Sequence, residues 1–229
     1  MISVCMATYN GERYLLPQLE SILSQLGEED ELIVSDDGST DATLSLLAGL
    51  GDSRIRLFHN ERHGFVHNFE NALCQARGEY IFLSDQDDLW LPQKVSTCLK
   101  LLQNCLLVTH NARLIDGEGK DMGQDFFSLH RSKGGFWHNL LRNSHVGCCM
   151  AFRRELLQHA LPFPKQLITH DIWLGLVAEK VGKTCMYPLP LICYRRHHGN
   201  VSSTSEKSRL SVWRMLQYRW HMFRHCLMR

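Results

Sequence analysis

Through the first half of the chain, short apolar runs alternate with segments whose apolar residues recur at helical spacing. Ile2 to Met6, Glu31 to Ser35, Ile55 to Phe58 and Tyr80 to Ser84 are of strand length. Between them, Glu12 to Gln25 carries Tyr14, Leu15, Leu19, Ile22 and Leu23 in helical register, followed just beyond by Leu26, and Phe65 to Gln75 carries Phe65, Phe69, Ala72 and Leu73 along one side. A further helix is expected up to about Leu50, capped by Thr40 or Asp41 and ended by Gly51. Strands alternating with helices at ~25-residue spacing imply right-handed crossovers and a parallel sheet. In open parallel sheets, ligands bind beyond the carboxyl ends of the strands. The loops Thr8 to Gly11, Asp36 to Ser39 and Asp85 to Asp88 therefore share one edge, and a cleft is expected there.

The last of these loops is the most informative. Tyr80-Ile81-Phe82-Leu83-Ser84 is apolar and then breaks into Asp85-Gln86-Asp87-Asp88-Leu89-Trp90. Carboxylates this close repel one another unless a cation joins them, and hard oxygen ligands suit Mg²⁺ or Mn²⁺ bound together with substrate phosphates. The competing reading is a solvated acidic turn that caps a helix beginning near Pro92.

Whole-chain quantities narrow the function classes. The 229 residues fit one domain with a small C-terminal appendage. Lys+Arg 25 against Asp+Glu 24 gives a net charge of +1, so no global field recruits nucleic acid. The nine cysteines form no C-x-x-C pair and sit mostly in apolar runs, which favours a reducing, cytoplasmic setting. Met1 leads straight into a strand without the plan of a signal peptide, and no apolar run approaches the ~18 residues of a spanning helix.

The second half is less regular. Leu106 to His110 and Arg113 to Ile115 read as extended segments, and Lys120 to Gly135 as a loop that either covers substrate or is ordinary surface. Val146 to Phe152 reads as a strand, Arg153 to Ala160 as a short helix, and Leu189 to Arg195 as a strand leading into a basic, His-bearing loop. His170 opens a helix, so Asp171 lies in a first turn where a carboxylate is electrostatically favoured with or without a catalytic role. His63 and His67 are four apart, a spacing more usual for solvated surface than for a zinc site. From Ser208 to Arg229 there is a helix without an acid. Leu210, Trp213, Leu216, Trp220, Phe223 and Leu227 fall on one stripe, and Arg209, Arg214, Arg219, Arg224 and Arg229 wind around it. Such a helix suits an anionic membrane surface, or packs on its own domain or on a partner.

Taken in order, Thr8-Tyr9-Asn10-Gly11, Ser35-Asp36-Asp37-Gly38-Ser39-Thr40-Asp41, Gly64 with Asn68-Phe69, Ser84-Asp85-Gln86-Asp87-Asp88-Leu89-Trp90, His170-Asp171-Ile172-Trp173-Leu174 and Tyr194-Arg195-Arg196-His197 resemble bacterial family 2 glycosyltransferases. The acidic and His-Asp-Ile-Trp motifs look most like the rhamnosyltransferase-like members. The resemblance runs from residue 2 to about 202. It implies the GT-A fold, an α/β architecture with a Rossmann-like, mainly parallel sheet flanked by helices. Residues 1–205 would form this domain, with a nucleotide-sugar half at 1–105 and an acceptor half at 106–205, and 206–229 would be the basic amphipathic helix.

Carried over to these positions, the resemblance implies that Thr8, Tyr9 and Asp37 hold the nucleobase, supported by Asn10, Glu12 and Asp36. Asp85 would meet the ribose and share the divalent metal, Mn²⁺ or Mg²⁺, with Asp87 and His197. Asn68, Asn71 and Trp173 would border the donor, and Asp171 would be the general base. Relatives commonly read Tyr-Arg-Gln-His-Gly-Asn-Asn, whereas this chain has Tyr194-Arg195-Arg196-His197-His198-Gly199-Asn200, so His197 and His198 compete for one role.

The implied reaction is inverting transfer of L-rhamnose from dTDP-rhamnose, or of a hexose from a UDP-sugar, onto a growing lipopolysaccharide or capsule glycan, free or lipid-linked. The cysteine usage favours the cytoplasm, and the helix at 208–229 leaves open a peripheral contact with the inner membrane face. A non-catalytic sugar-nucleotide-binding scaffold would share these motifs. A sugar nucleotidyltransferase would need a Gly-rich, basic loop after the first strand, which Ala7-Thr8-Tyr9-Asn10-Gly11 lacks.

Overall fold

The structure is a computed structural model and describes residues 1–197 and 211–229. His198, Gly199, Asn200, Arg209, Leu210 and the expected start of the last helix lie outside the described residues.

The first half follows the alternation read from the sequence. β1 (Ile2–Thr8), α1 (Glu12–Leu23), β2 (Glu31–Asp36), α2 (Thr43–Leu50), β3 (Ile55–His59), α3 (Phe65–Gln75) and β4 (Tyr80–Ser84) succeed one another. β1 pairs in parallel with β2 and β4, and β2 with β3, so the loops after β1, β2 and β4 leave from one edge. Val4 and Met6 of β1 face the layer of α1 and α2, while Cys5 faces α3. Burial on both faces is why these strands are apolar throughout and not alternating.

Beyond β4 come β5 (Leu89–Trp90), α4 (Lys94–Leu102), β6 (Leu107–Ile115), β7 (Asp121–Asp125), α5 (Phe126–His130), α6 (Phe136–Leu141), β8 (Met150–Arg153), α7 (Glu155–Ala160), α8 (His170–Val181), β9 (Thr184–Arg195) and α9 (Val212–Leu227). They continue the same sheet, whose order is β3-β2-β1-β4-β8-β6-β9-β5 with β7 paired to β6. Here the sheet is mixed: β6 and β9 are parallel, but β8 runs antiparallel to both β4 and β6, and β5 antiparallel to β9. The expected halves thus meet in continuous hydrogen bonding.

Several expected elements change. The two segments at 106–115 are one strand, irregular around Asn111, where the register against β9 shifts. Within Val146 to Phe152, residues Gly147–Cys149 form a single 3₁₀ turn and only Met150–Arg153 is paired. The expected loop at 120–135 contains β7 and α5, because Asp125 caps α5 by accepting from Ser128 N at 2.9 Å. α8 is buried almost all round between the sheet, α6, α7 and α9, which is why its apolar residues show no single stripe.

Gly78, just before β4, is set by close approach. A Cβ there would stand 2.6 Å from Ser3 N and 2.7 Å from Ile2 C, backbone that cannot yield without shifting β1. Gly78→Ala is expected to cost about 1–3 kcal/mol in denaturant unfolding, whereas Gly49→Ala, where nothing lies within 4 Å, should cost nothing measurable.

Candidate active site

The carboxyl ends of β1, β2 and β4 open into a cavity of ≈ 1010 Å³. The strand-end loops are braced to one another before any ligand is involved. Thr8 Oγ1 donates to Asp36 Oδ1 at 2.9 Å, and Asp36 also accepts from Ser39 N at 2.8 Å. Asn10 Oδ1 accepts from Thr40 N at 2.8 Å, and Glu12 Oε2 from Ala42 N at 2.8 Å. Gln86 pairs with the backbone of Tyr9 in both directions at 2.9 Å, joining the β1 loop to the acidic loop. Gln18 of α1 donates to Asp85 O at 2.9 Å.

Thr8, Tyr9, Asn10, Asp37, Asn68, Asp85, Asp87, Asp171 and His197 all line this cavity. Asp37 accepts from Asn60 Nδ2 at 2.7 Å and Gly64 N at 2.9 Å, and Asn68 donates to Thr8 O at 3.0 Å. Four expected site residues do not reach the lining. Asp36 is fully buried beneath it, and Glu12 faces α2. Asn71 is turned to Ser35 Oγ at 2.8 Å and His59 O at 3.0 Å, so it clamps strands instead of bordering the cavity. Trp173 is fully buried and donates from Nε1 to Ala160 O at 2.8 Å, because α8 presents it to the core beside α7.

The acidic loop is held by the end of β9. Asp88 Oδ1 accepts from Arg195 N at 2.9 Å, Arg195 Nε donates to Asp87 O at 2.9 Å, and His197 Nε2 lies 2.7 Å from Asp87 Oδ2. Tyr14 of α1 completes this corner, with its ring 4.9 Å from that of His197 and 4.6 Å from the Arg195 guanidinium. Beneath the loop sits Lys94, fully buried, donating to Cys148 O at 2.7 Å and lying 4.0 Å from the Trp90 ring centroid.

Burial pushes the Asp85 carboxyl up to about 7, and the charges of Asp87 and Asp171 add to the effect. Asp88 is raised well above the carboxylate range by burial and then by Asp87 and Asp85, and its Oδ2 meets no hydrogen-bond partner among the described residues. Such a cluster favours protons or a cation. Asp85, Asp88 and Cys148 each offer a ligand atom within 4.8 Å of the others. Cys148, however, is a buried thiol whose pKa is raised well above the ordinary value by burial, a poor partner for a hard ion, and neither it nor Asp88 lines the cavity. Asp85 and Asp87, with His197 beside them, are the donors that face it.

Across the cavity stands Asp171, in the first turn of α8. Its Oδ2 accepts from Asn143 Nδ2 at 3.3 Å and its Oδ1 from Ile172 N at 2.7 Å. Two histidines that sequence spacing did not single out flank it. His145 is buried, with Nδ1 2.7 Å from Thr109 Oγ1 and Nε2 3.5 Å from Glu179 Oε1. His170 stacks on Phe69 at 3.9 Å between ring centroids, and neither of its ring nitrogens has a hydrogen-bond partner among the described residues. Only the adjacency of His170 to Asp171 could have marked it. His145, Lys94 and Asn143 leave no sequence signal.

Burial lowers His170 from 6.5 to about 4, so the folded chain holds it neutral while the unfolded chain protonates it first. Stability is therefore lost as pH falls through that window. Wild type should lose about 3 kcal/mol more than His170→Gln between pH 6.5 and pH 4, read as the difference between the two unfolding curves.

The sequence model described as Glycosyl transferase family 2 matches residues 3–161. The chain is 27% identical to the UDP-Glc:alpha-D-GlcNAc-diphosphoundecaprenol beta-1,3-glucosyltransferase WfgD of Escherichia coli, over 94% of this chain and 85% of that one. Residues 1–349 of TarS from S. aureus, solved in complex with UDP-GlcNAc, superpose with a TM-score of 0.69 at 19% identity, covering 96% of this chain and 66% of that chain. A mannosyltransferase from Pyrobaculum calidifontis, solved with GDP-Man and Mn²⁺, superposes with a TM-score of 0.64 at 25% identity, covering 82% of this chain and 54% of that chain. The chain thus spans between about half and two thirds of these solved chains, and the shared fold is GT-A.

Proposed function

The chain belongs to glycosyl transferase family 2, and from that premise we propose that it is an inverting, metal-dependent transferase moving a hexose from a nucleoside diphosphate sugar to a lipid-linked glycan. The observation that carries this is that Asp171 and the Asp85–Asp87 pair line one cavity, near enough for the charge of Asp171 to raise the Asp85 carboxyl. A UDP-sugar is the donor proposed, in keeping with the names of WfgD and the TarS complex, and the lipid-linked acceptor follows the name of WfgD. None of the three proteins compared names rhamnose.

Asp171 takes the proton of an acceptor hydroxyl as its oxygen attacks the anomeric carbon. The bond from that carbon to the diphosphate oxygen breaks on the opposite face, its electron pair leaves with the nucleotide, and configuration inverts. Asn143 orients the Asp171 carboxylate through its 3.3 Å bond. Asp85 and Asp87, with His197, would hold a divalent cation, which when bound neutralises charge on the departing diphosphate. The donor set suits a hard ion, since it offers carboxylate oxygens and one imidazole, and Asp85 is held up to about 7 until a cation relieves it. Arg196 and Tyr14 line the same corner, and Thr8, Tyr9 and Asp37 line the part of the cavity proposed for the base.

In a thermal-shift series of UDP-, GDP- and dTDP-sugars with Mn²⁺ or Mg²⁺, one nucleotide should raise the midpoint in a metal-dependent way, and Asp87→Ala should abolish that shift. A full shift retained in Asp87→Ala would remove the metal assignment. Asp171→Asn should leave donor affinity within about twofold while kcat falls by about 10²–10⁴. Near-normal turnover of that variant with saturating acceptor would exclude Asp171 as the base.

A further inference from the structure

Of the described residues in the apolar stripe of the last helix, only Phe223 packs against the domain. α9 packs through Met222 and Cys226, both fully buried, with half-buried Met215 and Tyr218 on the same side. Lys180 Nζ secures its end by donating to Cys226 O at 2.8 Å, and His221 Nε2 lies 3.0 Å from Lys165 O. Trp213, Leu216, Trp220 and Leu227, spread over about 60° of the helix at 3.6 residues per turn, point away from this contact and are exposed. Trp213 is 70% exposed and Trp220 65%.

A second helix extends the same surface. Trp137 of α6 is 66% exposed and its neighbour Leu141 is exposed too. Phe223 joins the two helices, with ring centroids 5.7 Å from Trp137 and 5.8 Å from Trp220. Isolated exposed apolar side chains are ordinary, but a contiguous aromatic patch marks an interaction surface.

The charge around the patch identifies its partner. Neither α6 nor α9 carries a carboxylate, while Arg214 and Arg224 are exposed on α9 and Arg142 directly after α6. Tryptophans flanked by arginine suit the interface of an anionic bilayer, where the rings sit at headgroup level and guanidinium groups meet phosphate. We propose that the exposed face of α9, together with Trp137 and Leu141 of α6, docks on an anionic lipid bilayer. This deepens the lipid-linked acceptor reading above. The docked elements run directly into the cavity: α6 is followed by Asn143 and His145, and exposed Ile168 by Thr169, His170 and Asp171, all of which except Ile168 line it. Docking would hold the Asp171 side of the cavity towards the membrane, where such an acceptor is presented.

The test uses the full chain and vesicles of phosphatidylcholine alone or mixed with phosphatidylglycerol, without any sugar. Wild type should sediment with the mixed vesicles, bind phosphatidylcholine at least about tenfold more weakly, and be released by raised salt. Trp137→Ser/Trp220→Ser and Arg214→Glu/Arg224→Glu should each weaken binding about tenfold or more while the thermal midpoint and donor binding stay unchanged. All four positions are surface positions outside the cavity lining, so the variants remain folded. Wild type left in the supernatant with mixed vesicles, or variants that bind as wild type does, would overturn the proposal. So would a concentration-dependent dimer that the tryptophan variant dissolves, without vesicle binding, since a second copy would then own the face. Absence of donor binding when the same proteins are assayed separately with sugar nucleotide would instead sink the transferase reading and leave vesicle binding intact.

Discussion

The site depends on one electrostatic constraint: Asp85, Asp87 and Asp88 are packed into a loop that water reaches poorly, with Asp171 facing them. Like charges in a medium of low dielectric are costly, and the fold answers with structure on every side. Lys94 lies buried beneath the loop, Arg195 and His197 close it from β9, and Gln18 and Gln86 fix its backbone from α1 and the β1 loop. The remaining face lies towards the cavity. There burial pushes the Asp85 carboxyl up to about 7, with the charges of Asp87 and Asp171 adding to the effect.

That constraint explains why the second half of the chain is built as it is. β9 must run alongside β6 and end beside the acidic loop, since Asp88 receives its backbone bond from Arg195 N. β8 inserts antiparallel between β4 and β6, which brings Cys148 O to Lys94. α8 then emerges with its first turn facing the same cavity, and Asn143, from the segment after α6, sets the Asp171 carboxylate. The irregular topology beyond β4 is what brings Asp171 to the cavity that β1, β2 and β4 open.

Two side chains show how packing decides a role that a motif cannot. Asp171 and Trp173 stand two apart in one short motif, yet a helix turns about 100° per residue. One therefore meets the cavity, and the other is fully buried and bonded to Ala160 O. Asn68 and Asn71 are three apart on α3, only about 60° around the helix, and still part: the first lines the cavity, and the second, one turn further from its mouth, clamps Ser35 and His59.

Sequence periodicity determined the parallel half of the sheet, the shared edge of its loops and the acidic cluster at the end of β4, because these follow from local alternation and from where apolar runs stop. It determined too that the last helix has an apolar stripe and no acid. Tertiary structure alone decided the mixed order of β8, β6 and β9, since strand neighbours far apart in sequence leave no local trace. It alone brought Lys94 and His145 to the site, because a buried polar residue is recognisable only by the partners packed around it. And it turned the Trp220 stripe outward, since Met222 and Cys226 fill the groove beside α8 and a single helix can bury only one of its faces there.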